Sequence, residues 1–252
     1  MQAITGTYVL YPNTCSCQTD MRDLEKALAA NHHAHRYGVA VTTIHDPAQV
    51  LDTIESSDRF LVQQIFKPIA NEYRISVPTP GSTDEGRPLL FVKQKKMTIK
   101  EDIRFRLDPD AEAHLFMIKS KSVFEFRGRH DVLDEHGQAI GQLEKAFGKS
   151  LLRSHWNVRD ASGALLLEAY ESSLVIALVR RLAGIVSDYL SALTWLPFNF
   201  TLQRNGSEVA TYKRILGTFR DRYVLDVQPG LEDVDRRLLL AFTVALDALQ
   251  DR

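Results

Sequence analysis

Apolar and polar residues alternate in two consecutive units of the chain, and each unit ends in a turn signal. The segment 132–137, Val-Leu-Asp-Glu-His-Gly, returns 26 positions later as Val-Arg-Asp-Ala-Ser-Gly at 158–163. Period-two alternation predicts half-buried strands, and Asp and Gly predict the turns between them. A looser copy lies at 200–206, and a degraded one lies at 73–86. Such repetition predicts an architecture that stacks one strand–turn–strand unit many times.

Short alternating runs predict further strands from Arg59 onward. They are Phe60–Phe66, Asn71–Val77, Leu89–Gln94, Ile103–Leu107, Leu115–Lys119 and Val123–Arg127, followed by the two repeated hairpins. The segment 78–88, rich in Pro and Gly, predicts a solvated connection. Many short strands with Gly-containing turns are typical of a sandwich or a barrel.

Two segments have helical patterns instead. Leu174–Leu196 has apolar residues at helical spacing and is followed by Pro197, which predicts an amphipathic helix that covers one end of the β domain or lies on a membrane. Near the C-terminus, Leu238–Leu246 is almost wholly apolar. A helix that is apolar all round must be buried, and this run spans only about half of a bilayer's hydrocarbon core. Because a barrel of about a dozen strands is too wide for side chains alone to fill, we expect this helix at its centre.

The first 57 residues follow a different, mixed pattern. They predict a strand at Thr7–Tyr11, a helix at Met21–Asn31, a strand at Val39–Ile44, and a helix that begins at Asp46-Pro47 and runs to Glu55. We therefore divide the chain into a small α/β N-terminal appendage, residues 1–57, and a barrel domain, residues 59–252.

Composition narrows the class of protein. Apolar residues make up 44% of the 252 residues and charged residues 25%, as in ordinary globular proteins, and the net charge of −1 gives no general attraction for nucleic acid. The two cysteines fit a reducing compartment. No signal peptide and no transmembrane span is predicted. These features predict a cytoplasmic location, which is compatible with peripheral attachment to a membrane.

Several segments together resemble the Tubby C-terminal-domain-like superfamily, nearest its LURP-one-related and phospholipid-scramblase-like branch in the bacterial form. The resemblance covers about residues 59–250. It rests on Phe60–Phe66, Tyr73–Ile75, Val132–Gly137, Gly141–Lys145, Trp156–Asp160, Arg222–Asp226 and Asp235–Asp247. It implies a mainly β fold, with about twelve antiparallel strands in a barrel that encloses a central apolar C-terminal helix, in agreement with the argument from pattern.

The resemblance implies functions that differ among relatives. Tubby proteins bind phosphoinositides, and scramblases are implicated in calcium-dependent lipid movement. Scramblases carry an acidic calcium segment before the final helix and a lipidated Cys-rich stretch. Here the corresponding segment, 226–235, lacks the dense alternation of oxygen ligands that calcium prefers, and Cys15-Ser16-Cys17 is all that resembles the Cys-rich stretch. Scramblase-like lipid transfer is therefore the weaker alternative.

Clustered basic residues are the best indication of a ligand. They are Lys93, Lys95, Lys96 and Lys100, then Lys145, Lys149 and Arg153, then Lys213, Arg214, Arg220 and Arg222. If the repeated units are equivalent, these residues project from similar places around one rim of the barrel. Converging Lys and Arg side chains bind phosphorylated lipid headgroups. The other interpretation is a solvated barrel surface on which charges of both signs are mixed.

Other chemistry has less support. Cys15, Cys17 and the histidines at 32, 33 and 35 are ligand types that zinc accepts, but their spacing matches no standard site, so we predict no metal and no cofactor. Ser154-His155 lies on a predicted strand, where neighbouring side chains point to opposite faces and cannot form a catalytic pair. We predict a non-enzymatic module that binds anionic lipid or phosphoinositide, with a protein-interaction scaffold of unknown partner as the alternative.

Overall fold

The computed structural model describes residues 46–66, 70–79, 81–95, 102–120, 128–146, 154–172, 199–215 and 221–248. These residues form two helices and twelve strands. In chain order they are α1 Pro47–Ser56, β1 Arg59–Phe66, β2 Ala70–Ser76, β3 Pro88–Lys95, β4 Asp102–Arg106, β5 Phe116–Ser120, β6 Arg129–Asp134, β7 Ala139–Lys145, β8 His155–Asp160, β9 Leu165–Glu171, β10 Phe200–Arg204, β11 Ser207–Arg214, β12 Arg222–Val227 and α2 Arg236–Ala248.

The strands form a closed barrel in which each strand pairs antiparallel with its neighbours in sequence. Strand β1 closes the barrel against β12, with Phe60 opposite Leu225. This confirms the predicted mainly β fold and the twelve-stranded antiparallel barrel. Because direction alternates from strand to strand, every odd-numbered strand ends at the same end of the barrel.

The repeated turns explain why the alternating pattern folds as hairpins. The Asp134 carboxylate accepts hydrogen bonds from the backbone N–H groups of His136 and Gln138, at 2.9 and 2.8 Å. Gly137 has φ +79°, a conformation that a Cβ atom disfavours. Asp160 and Gly163 repeat this arrangement, with the Asp160 carboxylate 2.9 Å from the N–H of Ala164. The two sequence repeats are therefore two copies of one structural turn.

Helix α2 fills the barrel, as the apolar run predicts. Residues Leu238 to Leu246 are all buried. Phe242 packs edge-to-face on Trp156 of β8 and on Phe200 of β10, with ring centroids 6.4 and 6.1 Å apart. The barrel wall is also fitted to the helix, because a Cβ atom on Gly141 of β7 would lie only 2.8 Å from a methyl group of Leu238.

Polar contacts hold both ends of α2. At its start, the buried Arg236 side chain donates to the carbonyl oxygen of Leu231 at 2.8 Å and to the Asp58 carboxylate at 3.0 Å. At its end, the Tyr73 hydroxyl donates to the Asp247 carboxylate at 2.5 Å, and the Gln94 amide donates to the carbonyl oxygen of Ala248 at 3.2 Å. These contacts fix the position of the helix along the barrel axis.

Helix α1 begins as the Asp46-Pro47 signal predicts. The Asp46 carboxylate caps it by accepting from the N–H of Ala48, and Val50 and Ile54 join the same core as α2. The division at residues 57–59 stays a prediction. The other elements expected in the first 45 residues, the strand at 123–127, the helix at 174–196 and the Cys/His group lie outside the described residues.

Candidate anion site on the outer wall

The candidate site lies on the outer face of three adjacent strands, β2, β3 and β4. Their register places Arg74, Phe91 and Arg106 side by side in one row across the strands. The next row contains Glu72, Lys93 and Arg104. Strands lie about 4.8 Å apart, so the backbones at Arg74 and Arg106 are about 10 Å apart, with Phe91 between them. The register thus gathers four cations around one aromatic ring.

A pocket of about 310 Å³ opens at this place. Its wall includes Glu72, Arg74, Phe91, Lys93 and Arg106, and the β4–β5 loop contributes Pro109 and Asp110. The size suits a small ligand or a lipid headgroup. Three cations, one aromatic ring on the outer face and two carboxylates, Glu72 and Asp110, thus line the pocket.

Arg74 is held on one side of the pocket. Its guanidinium carbon lies 5.6 Å from the centroid of the Phe91 ring, within the range of a cation–π interaction. One terminal nitrogen donates to the Glu85 carboxylate at 3.0 Å. Its Nε is buried and has no hydrogen-bond partner among the described residues. An atom this buried is out of reach of a ligand in this conformation, so an anion would contact the terminal nitrogens of Arg74.

Arg106, on the other side of Phe91, has an unused donor as well. Its Nε is also buried and makes no hydrogen bond within the described part of the chain. A buried donor without a partner costs free energy, and an anion could accept from this Nε only after the side chain rotates toward the pocket that Arg106 lines.

The pKa of the nearby His114 is affected by the positive charges of this region. Burial lowers the pKa of His114, and the cationic Arg104 and Arg106 lower it further, while Glu135 and Asp102 act in the opposite direction. Charged neighbours of the same sign disfavour protonation. The direction of the contributions from Arg104 and Arg106 is that expected beside cations that are not fully neutralised.

Among the predicted basic residues that the structure describes, Lys93 lines this pocket. Lys95, Lys145 and Arg214 end strands β3, β7 and β11, so these three residues lie at one end of the barrel, where α2 also ends. They are, however, four strands apart from one another. That separation is on the order of 20 Å along the wall, too far for a single headgroup to bridge.

The described members of these clusters differ in their surroundings. Lys145 lies 6.0 Å from the Trp156 ring, and Lys213 is exposed. Arg214 pairs with Asp221, and Arg222 donates to the carbonyl oxygen of Thr83 at 2.7 Å. Five predicted residues lie outside the described part: Lys96, Lys100, Lys149, Arg153 and Arg220. The role of all of these side chains in binding stays a prediction.

The acidic connection before α2 is occupied by the protein's own groups. Asp226 pairs with Arg59 at 3.2 Å, Asp233 with Arg204 at 2.9 Å, and Asp235 with Arg237 at 2.7 Å. Glu232 accepts from the backbone N–H of Gly230, which lowers the pKa of its carboxyl group. These carboxylates stabilise the loop that leads into α2. Within the described residues, no group of three or more His, Cys, Asp or Glu side chains is arranged to hold a metal ion.

Sequence reasoning missed Arg74, Phe91 and Arg106 as site residues. No cluster marks them, since they are 17 and 15 positions apart along the chain. The usable signal is strand register. Each of these three strands carries a basic or aromatic residue at an outward-facing position. When the strands pair antiparallel, those residues become neighbours on the outer face.

A closed antiparallel barrel filled by its C-terminal helix is the fold of the Tubby-like superfamily. The family model of LURP-one-related proteins, which belong to that superfamily, matches residues 89–247, more than half of the chain. The chain therefore belongs to the LURP-one-related family. Membership is compatible with lipid binding, and the family is generally non-enzymatic. No curated protein matches the chain. No helix among the described residues is long and apolar enough to cross a bilayer.

Proposed function

We propose that this protein is a non-enzymatic, membrane-peripheral module that binds the phosphorylated headgroup of an anionic lipid on the outer wall of the barrel. The observation that carries the proposal is the row Arg74–Phe91–Arg106, which lines an open pocket together with Lys93. Guanidinium groups match the oxygens of a phosphate in pairs, and Lys93 adds a point charge.

Binding at the pocket would be assisted by the basic rim. Each basic residue near an anionic membrane surface contributes about 1 kcal/mol of attraction, which salt screens. Lys145 and Lys213 are too far from the pocket for direct contact with the same headgroup. In this proposal the rim supplies general attraction to anionic membranes, and the pocket supplies headgroup preference.

A non-enzymatic role is supported by the surroundings of His155, the histidine that directly follows Ser154 in the sequence. His155, beside Ser154, stacks on Tyr170 with ring centroids 4.4 Å apart and faces Glu168 at 3.4 Å. Asp160 is occupied by its own turn, where it accepts from Ser162 and Ala164. The carboxylate of Asp160 therefore serves its own turn, and the carboxylate that faces His155 is Glu168.

The proposal is tested by vesicle cosedimentation of the full chain. The vesicles are phosphatidylcholine alone, phosphatidylcholine with phosphatidylserine, and phosphatidylcholine with a phosphorylated inositol lipid, each across a salt series. The variants are Arg106→Gln and Lys93→Gln in the pocket, and Lys213→Gln on the rim. Arg204→Gln, which removes one positive charge far around the barrel, is the matched control.

We expect binding that needs anionic lipid and fades with salt. Arg106→Gln should remove the preference for the phosphorylated inositol lipid, Lys213→Gln should weaken binding to all anionic vesicles about equally, and Arg204→Gln should change neither. Competition by inorganic phosphate at millimolar concentration would show that the site also takes free phosphate. Failure of the wild-type protein to bind any vesicle, or equal binding by Arg106→Gln and wild type, would falsify the proposal.

A further inference from the structure

We propose that Glu85, on the β2–β3 loop, is an internal competitor that occupies the anion subsite on Arg74 until a ligand displaces it. This inference rests on the function proposed above. A carboxylate and a phosphate present similar oxygen acceptors to a guanidinium group. Glu85 Oε1 accepts from Arg74 Nη1 at 3.0 Å, and Arg74 in turn lines the pocket.

The loop that carries Glu85 is folded back onto the barrel. Its two ends meet where Val77 N–H donates to the carbonyl oxygen of Arg87 at 3.3 Å, and a Cβ atom on Gly86 would lie only 2.1 Å from the carbonyl oxygen of Val77. Gly86 thus lets the loop close tightly and places Glu85 directly beside Arg74. The position of the carboxylate is set by the backbone and needs no ligand.

The rest of the loop is anchored without Glu85. Arg222 of β12 donates to the carbonyl oxygen of Thr83 at 2.7 Å. Within the loop, Thr79 N–H donates to the carbonyl oxygen of Asp84, and the Ser82 hydroxyl donates to the Asp84 carboxylate at 2.7 Å. A rotation of the Glu85 side chain can therefore release Arg74 while the loop stays in place.

The ion pair is weak enough to be displaced. The side chains of Arg74 and Glu85 are 35% and 30% exposed. Exposed pairs of this kind are worth from a few tenths to about 1 kcal/mol. A ligand that must displace such a contact binds about two- to fivefold more weakly than it would without the competitor. Glu85 thus lowers the affinity for any anion that binds Arg74 without closing the site.

The experiment measures the affinity of the full chain for vesicles of phosphatidylcholine with a phosphorylated inositol lipid. The test variant is Glu85→Gln, which keeps the size of the side chain and removes its charge. Asp84→Asn is the matched control, since it removes the same charge one residue away, on a side chain that binds Ser82 and not Arg74. Glu85→Gln is measured again in an Arg74→Gln background.

We expect Glu85→Gln to bind about two- to fivefold more tightly than wild type, Asp84→Asn to bind like wild type, and the Glu85→Gln effect to vanish when Arg74 is replaced. Equal affinities for Glu85→Gln and Asp84→Asn would overturn the inference and leave the proposed function standing if Arg106 is still required. Absence of binding by wild type and by every variant would overturn both proposals.

Discussion

Two phenylalanines show how differently this barrel uses its inside and its outside. Phe242 lies on α2 at the centre of the barrel, fully buried between Trp156 and Phe200. Phe91 lies on the outer wall, half-buried, with the Arg74 guanidinium over its ring. The first ring is surrounded by apolar side chains, whereas the second is flanked by arginines with spare donors.

The contrast separates stability from binding capacity. Close packing around Phe242 fixes the helix in the barrel. Any change of side-chain volume there alters the packing of many neighbouring residues. Around Phe91 the surface leaves buried Nε groups of Arg74 and Arg106 without partners in the described residues. Buried donors without a hydrogen-bond partner among the described residues also occur inside, at Trp156 Nε1 and Arg236 Nε, so what distinguishes the outer wall as a candidate for function is its open pocket.

Replacement of Phe242 by Ala should have the largest effect. A buried Phe→Ala change costs about 3–5 kcal/mol of unfolding free energy, because it removes apolar contacts and leaves a cavity. Phe91→Ala should cost less than about 1.5 kcal/mol, since one side of that ring faces solvent. Urea unfolding followed by circular dichroism measures both. If both variants lost the same unfolding free energy, the proposed difference between the core and the outer wall would be wrong.

Gly141→Ala should have the next largest effect. The added methyl group would lie 2.5 Å from the carbonyl oxygen of Arg159 and 2.8 Å from Leu238, so β7 or α2 must move. Overpacking of this kind costs about 1–3 kcal/mol. Gly137→Ala is a useful contrast, since its site has open space and only the positive φ opposes the change, at about 1 kcal/mol. A Gly141 variant as stable as wild type would show that α2 is more loosely held than its contacts indicate.

Much of the fold could be predicted because its determinants are local and repeated. Alternation gives the strands, Asp134 and Asp160 with their glycines give the turns, and the all-apolar run from Leu238 can be satisfied only in an interior. Each of these signals is read within about ten residues of sequence. The closure of β1 against β12 followed from the resemblance and from the need to enclose the helix.

The site could not be predicted in the same way because it depends on register. Arg74, Phe91 and Arg106 come from three strands, and a shift of one residue would turn any of them to the other face. The basic clusters around Lys145 and Lys213 were easier to see, because they are contiguous in sequence. The barrel spreads those clusters around its rim, while strand pairing brings together residues that the sequence keeps apart.

The pH dependence of stability gives a smaller, distinct test of the interior. Burial lowers the pKa of His130, although Asp131 opposes this effect. The unfolded chain therefore binds a proton more readily, and stability present above about pH 6.5 is lost as the pH falls below that value. His130→Asn should flatten the decline, and the exposed His136→Asn should not. Unfolding free energies at pH 5.5, 6.5 and 7.5 measure this, and an unchanged slope in His130→Asn would show that other groups dominate.

The smallest effect is a change in the pKa of His114, and it tests the outer wall directly. After burial, the cations Arg104 and Arg106 are the main causes that lower this pKa. Arg106→Gln removes one positive neighbour, so the pKa of His114 should rise, and an anion bound at Arg106 should raise it in the wild-type protein. An NMR titration of the imidazole signals, assigned with His114→Asn, measures both shifts.

Arg204→Gln serves as the control in that titration, because Arg204 pairs with Asp233 on another part of the barrel and should leave the pKa of His114 unchanged. Inorganic phosphate added to Arg106→Gln should have less effect than phosphate added to wild type. If phosphate shifts His114 equally in both proteins, the anion binds somewhere other than Arg106, and the contrast between a filled interior and an open outer wall loses its functional meaning. If the shift requires Arg106, the Arg106 side chain beside Phe91 is where this barrel binds an anionic ligand.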